Sequence, residues 1–270
     1  MSKQKSTIQV VGKLGNMRGF KRPGTKGILA SSPGGGSKSH FLTSEKMQRT
    51  RENANEQGMV FSASAAIILL IILNALKRVS GKSRNLLTKI FRTLTNTDTV
   101  NPRGNRSLLF SDPDGILMKL MEGINISKRN LNSVIRKVWT HSYVSGTGAY
   151  SVTFAAGLAI GDFFAIPKNA KYFRITLIAT LCGDRIYDAT ANKYLKAEED
   201  VNYMASTAWI AIATGLPAAT AITVTVPTSF PVDAGLIGDL QLQFAEEING
   251  NDYSFVGDLA DVVITAGAPA

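Results

Sequence analysis

The chain has 270 residues, with 30 Lys and Arg against 20 Asp and Glu, a formal net charge of +10 and 44% hydrophobic residues. That balance is globular and excludes an intrinsically disordered chain. A single cysteine, Cys182, excludes an intrachain disulfide framework, so burial alone must hold the fold together.

The charge is unevenly spread. Residues 1–142 carry 24 basic and 7 acidic residues, a balance of +17, while residues 143–270 carry 6 and 13, a balance of −7. A basic half attracts phosphate, anionic lipid or acidic protein over about a Debye length. The contrast also permits head-to-tail contact between copies. Scattered Lys and Arg that merely solvate helices are the plainer alternative.

In chain order, residues 1–20 have lysines but no continuous apolar stretch of the kind a secretory signal needs. The expected location is the cytoplasm or a virion-like assembly built there. Residues 7–31 alternate short β-prone runs with Gly15, Gly19, Pro23, Gly24 and Gly27, which predicts two or three short strands with tight turns. Residues 32–40 read as a flexible Gly-rich linker, because the run lacks the spacing of a phosphate-binding loop.

Thr43 or Ser44 is placed to cap a helix through residues 45–57, which Gly58 breaks or kinks. Residues 59–76 follow without a charge, bounded by Lys77 and Arg78. As a helix this run is about 27 Å long, enough to cross a bilayer core. Ser62, Ser64 and Asn74 dilute it, however, and no aromatic belt flanks it. A helix apolar all round is equally suited to burial at the centre of an oligomer, which makes Ile67, Ile68, Leu69, Leu70, Ile71, Ile72 and Leu73 the expected assembly residues. Residues 83–95 form an amphipathic basic helix, with Leu86, Leu87, Ile90, Phe91 and Leu94 at helical spacing and Arg84, Lys89 and Arg92 among them. Asn101 and Pro102 end the helical region, and a basic turn follows.

Beyond residue 123 the period changes from helix to strand. Expected strands cover residues 131–142, 148–156, 171–182, 205–214, 219–227, 238–246 and 259–265, separated by Gly and Pro turn signals. Leu240, Leu242 and Phe244 alternate with Gln241 and Gln243, the period of a half-buried strand. Asn249 and Gly250 predict a tight hairpin. The expected fold class is therefore α+β. A short β region and linker (1–40) and a basic helical region (41–122) precede an antiparallel, Ig-like β-sandwich domain (123–270).

No catalytic constellation emerges. His40 falls in the linker and His141 at a strand end. Glu198, Glu199 and Asp200 lack the spacing of an EF-hand and read as a solvated loop. Trp139 and Trp209 fall on strands and read as core. No catalytic residue, metal ligand or cofactor is expected, and the chain reads as a non-enzyme.

The segments IQVVGKLGNMRGFKRPGTKG, MQRTRENANEQG, SGKSRNLLTKIFRTLTNTDTVNPRGNR and LQFAEEINGNDYSF resemble a family of uncharacterised Bacteroidota proteins. Residues 49–53 (RTREN) are the most specific part of that likeness. It implies a Gly-punctuated β opening, a basic helix ending in an Arg-Gly turn and a β-rich C-terminal domain, and it carries no activity. The apolar run at residues 65–73 departs from the family pattern, which has a mixed, basic helix there, and so points to packing inside a protein assembly.

The leading expectation is a structural protein that assembles with copies of itself, as a component of a phage-like particle or filament. Within it, Lys13, Arg18, Lys21, Arg22, Lys77, Arg78, Lys82, Arg84, Lys89 and Arg92 are the residues expected to face nucleic acid or another anionic partner. The alternatives are a nucleic-acid-binding protein acting through its basic half and a single-span membrane-anchored protein.

Overall fold

The computed structural model describes residues 2–3, 11–14, 17–20, 28–31, 38–73, 81–112, 114–136, 138–144, 146–228, 231–249 and 253–267. For residues 2, 3, 12–14, 17, 18, 30, 31, 72, 73, 81, 266 and 267 it describes the backbone alone. The fold class is α+β, and the chain divides into two compact units, Met1–Arg51 and Glu52–Ala270.

The first unit is built on a four-stranded antiparallel sheet. Its strands β1 (Ser2–Lys3), β2 (Gly12–Leu14), β3 (Met17–Phe20) and β4 (Leu29–Ser31) lie in the order β1-β4-β3-β2. Lys13 pairs with Arg18 across the β2–β3 ladder. A short helix, α1 (Lys38–Thr43), follows, and the Arg51 guanidinium donates to the main-chain oxygens of Phe41 and Ser44 at 2.7 and 2.8 Å.

Helix α2 (Gln48–Leu73) starts in this unit and runs unbroken for 26 residues. Gly58 does not interrupt it, contrary to the sequence expectation. A glycine inside a helix costs only about 1 kcal/mol relative to alanine, which packing on both sides of it offsets. Within Glu52–Ala270, α2 is followed by α3 (Gly81–Thr95) and α4 (Ile116–Met121). Asp112 caps α4, accepting hydrogen bonds from the N–H groups of Ile116 at 2.8 Å and Leu117 at 2.6 Å.

The rest of this unit is β. The strands are β5 (Arg129–Asn130), β6 (Thr140–Val144), β7 (Ala149–Phe154), β8 (Tyr172–Gly183), β9 (Arg185–Asp188) and β10 (Lys193–Lys196). They continue as β11 (Val201–Ser206), β12 (Ile210–Ala211), β13 (Thr220–Thr225), β14 (Ala234–Glu247), β15 (Tyr253–Phe255) and β16 (Ala260–Gly267). One sheet has the order β11-β8-β14-β16-β5, with β12 added to β8 and β15 to β14. Its pairs are antiparallel except β16 with β5. A smaller antiparallel sheet has the order β13-β7-β6, and β9 and β10 form a separate hairpin.

Strand alternation assigns the two faces of the large sheet to two cores. Leu236, Leu240, Leu242 and Phe244 of β14 join Phe173, Ile175 and Leu177 of β8 and meet Tyr150, Val152, Phe154, Ile222 and Val224 of the small sheet. On the opposite face, Ile237, Val263 and Cys182 meet a second core built from α2, α3 and α4. The polar side of β14 is therefore not solvated as its alternation suggested. Gln241 and Gln243 are buried, because β14 is the sheet's central long strand.

Other expectations moved as well. Residues 131–133 form a 3-10 turn whose Asn130 side chain accepts from the Asn132 N–H, so the strand expected from residue 131 starts at Thr140. The strand expected at 205–214 is split between β11 and β12 by Thr207, whose hydroxyl accepts from the Ile175 N–H. The hairpin expected at Asn249 and Gly250 joins β14 to β15, with Glu247 opposite Tyr253, and Gly250 lies outside the described residues.

Candidate functional site

Residues spaced three and four apart along α2, namely Glu56, Met59, Val60, Ala63, Ser64, Ile67, Ile68 and Ile71, are all buried. They face Leu87, Ile90, Phe91 and Leu94 of α3, together with Phe110, Leu117, Met121 and the underside of the sheet. Phe91 and Phe110 meet edge to face at 5.2 Å. This corrects the expectation for the apolar run. Ile67, Ile68 and Ile71 lie in the chain's own core, because the large sheet presents a second apolar face that the helices help to cover. Leu69 is 55% exposed and Leu70 half-buried, and the side chains of Ile72 and Leu73 lie outside the description.

One turn before the apolar run, Glu56 is fully buried and gathers partners that lie 36 to 50 positions further along the chain. Arg106 donates through Nε and Nη2, each at 2.8 Å, to the two carboxylate oxygens. Gly104 N–H donates at 2.7 Å, and an Arg92 nitrogen lies 2.7 Å away. Asn53, one turn earlier, accepts from Arg103 at 2.7 Å. Burial alone would raise the Glu56 carboxyl, but the Arg106 and Gly104 hydrogen bonds and the Arg92 charge together hold it below its ordinary value. The turn that delivers these groups is itself held by Asp98, which accepts from the N–H groups of Val100, Asn101 and Ser107. Gly104 has φ +96°, and a Cβ there would lie 2.9 Å from Glu52 Cγ.

This cluster takes Arg92 out of the set expected to face an anionic partner. Lys82, Arg84 and Lys89 are exposed on α3, with the Arg84 guanidinium 6.0 Å from the centre of the Phe61 ring. Lys13 and Arg18 are placed on β2 and β3 by their backbone only, while Lys21, Arg22, Lys77 and Arg78 lie outside the described residues.

The two units also differ in charge. Met1–Arg51 contains eleven Lys and Arg against the single acid Glu45, a balance of +10, whereas Glu52–Ala270 contains 19 of each. The entire net charge of the protein belongs to its first 51 residues.

Among the described residues no group of three or more His, Cys, Asp and Glu is arranged to hold a metal ion. His40 and His141 are exposed, and Cys182 is buried with its thiol pushed up by desolvation. Glu198 and Glu199 are exposed as expected of a solvated acidic loop, but the Asp200 side chain is 3% exposed and paired with Arg185. Trp139 packs against the inter-sheet core. Trp209 stacks on Tyr253 at 5.2 Å, with the Arg174 guanidinium 4.7 Å from its ring centre.

Sequence reasoning missed a second buried polar cluster, formed by Asp239 and Gln241 of β14 with Asp261 of β16. Its signal was a pair of acids within otherwise apolar strands. Searches of protein-family models, of curated proteins and of solved structures found no match.

Proposed function

We propose that the protein is a non-enzymatic binding protein that engages a polyanion, in first place nucleic acid, through the basic unit Met1–Arg51. The observation that supports this reading is the partition of charge: +10 on 51 residues beside a unit of balanced charge. A compact basic unit releases counterions from a phosphate backbone when it binds, which makes affinity fall steeply with salt. Fluorescence anisotropy of labelled duplex DNA with the full-length protein, titrated with salt, tests the reading. It predicts binding at low salt that weakens by a factor of about ten or more for a fourfold rise in salt, and no binding at low salt would sink it.

A second reading, a structural protein that assembles with its own copies, is favoured by one observation. The outward side of the helices carries Phe61 at 42%, Leu69 at 55% and Leu86 at 37% exposure. Such residues on neighbouring helices are suited to burial against another chain. The segment Glu45–Ile71 also has the length and composition to cross a membrane. Its buried Glu56 ion pairs and its packed face favour a protein interior instead. We also read the two β layers of Glu52–Ala270 as an Ig-like sandwich, on the strength of the single apolar core between two largely antiparallel sheets.

A further inference from the structure

The last described turn of α2 is fastened to the large sheet by two side-chain amides. Asn202 Nδ2 of β11 donates to the Leu70 carbonyl at 2.8 Å, and Gln241 Nε2 of β14 donates to the Ile71 carbonyl at 3.2 Å. The same Gln241 nitrogen donates at 2.7 Å to Asp239 Oδ2. Asp239 is fully buried, and its Oδ1 has no hydrogen-bond partner among the described residues.

The setting of Asp239 differs from that of its neighbour Asp261, which lies opposite Gln241 in the ladder. Asp261 accepts from Ile126 N–H at 2.9 Å, from Ser127 N–H at 2.9 Å and from the Ser127 hydroxyl at 2.6 Å. A carboxylate with three donors is stable as an anion, whereas one with a single amide donor in a dry interior is not. The ionisable groups facing Asp239 are Asp261 from β16 and Tyr150 from β7, and neither brings a positive charge. From β8 it meets Ile178 across the ladder, and α2 contributes the Ile71 carbonyl, which shares the Gln241 amide with it. Of the two buried acids, Asp239 has the fewer donors to stabilise an anion.

We infer that Asp239 and Gln241 form a proton-dependent latch on α2: with Asp239 neutral the last turn stays docked on β14, and ionisation of Asp239 releases it. The released turn lets the new anion reach water and removes the carbonyls that oppose it. Burial, followed by the Asp261 charge, raises the Asp239 carboxyl well above its ordinary value, so the release comes with rising pH.

Hydrogen exchange on the full-length protein, with α3 amides as the internal reference, tests the latch. After correction for intrinsic rates, exchange of the amides of residues 68–71 should rise about tenfold relative to α3 as the pH is raised. In Asp239→Asn that rise should vanish. A flat wild-type profile, or the same rise in Asp239→Asn, overturns the proposal. Should Asp239→Asn fail to fold, infrared titration of the wild type decides. A protonated carboxyl band lost in step with the exchange rise is expected, and a band that is absent, or unchanged while exchange rises, overturns the latch.

Discussion

Glu56 and Arg106, fifty residues apart in sequence, form a two-point ion pair in which Arg106 Nε and Nη2 each reach a different carboxylate oxygen at 2.8 Å. The pair ties α2 to the turn after α3, and its acid is fully buried. Replacing the acid leaves Arg106 and Arg92 facing a low-dielectric site without an anion. Glu56→Gln is therefore expected to lower unfolding stability by about 3 kcal/mol, read from urea denaturation. A loss within about 0.5 kcal/mol would mean that the cluster contributes nothing net.

The same junction constrains Gly104. Its φ of +96° and the 2.9 Å approach to Glu52 Cγ leave no room for a Cβ. Gly104→Ala should cost about 1 to 3 kcal/mol. Because it displaces the N–H that Glu56 accepts, the loss should be less than additive with Glu56→Gln in a double-mutant cycle.

Stability should depend on pH in two opposite ways. The folded Glu56 carboxyl sits below its ordinary value of 4.5, so its contribution is full above that value and is lost as pH falls through the lower folded one. Asp239 and Asp261 sit above the ordinary 3.8, pushed up first by burial, with Asp261 at about 6. Their contribution is full below 3.8 and is lost as pH rises through the folded values. Urea midpoints measured across pH should fall on the acid side less steeply in Glu56→Gln. On the rising-pH side they should fall less steeply in Asp239→Asn.

The two sides of α2 should answer differently to substitution. Ile67 is fully buried, and Ile67→Ala should cost about 2 to 5 kcal/mol. Leu69 is 55% exposed, and Leu69→Ser should change stability by less than about 0.5 kcal/mol. In sedimentation velocity, Phe61→Ser with Leu69→Ser should disperse any self-association without unfolding the chain. Association unchanged by both substitutions would count against assembly through this side.

Helices α2 and α3 and strands β7, β8, β13, β14 and β16 were legible because their apolar spacing is local, as in α3, where Leu87, Ile90, Phe91 and Leu94 all reached the core, whereas the short helix α4 lies beyond the expected end of the helical region. What covers the apolar run of α2 was not, because the covering surface lies on strands more than a hundred residues away, at Ile237 and Val263. The uncharged composition of the run suggested burial all round, and only the sheet's position shows that one side suffices. The RTREN and NPRGNR stretches stood out in sequence as motifs, but their pairing through Asn53, Glu56, Arg103 and Arg106 depends on how the turn folds back. Gln241 and Gln243 looked solvent-facing because alternation reports a polar side and not what lies over it. The hairpin β9–β10 was missed since its four-residue strands carry mixed polarity.

Salt-dependent binding of duplex DNA by the full-length protein, compared with a variant carrying Lys13→Gln, Arg18→Gln, Lys21→Gln and Arg22→Gln, tests the polyanion reading most directly. The predicted result is a linear fall of log affinity with log salt, with a slope of about −0.9 per phosphate neutralised, that becomes shallower in the variant. Affinity and slope indistinguishable between the two proteins, or no binding by either at low salt, would contradict the assignment of polyanion binding to Met1–Arg51.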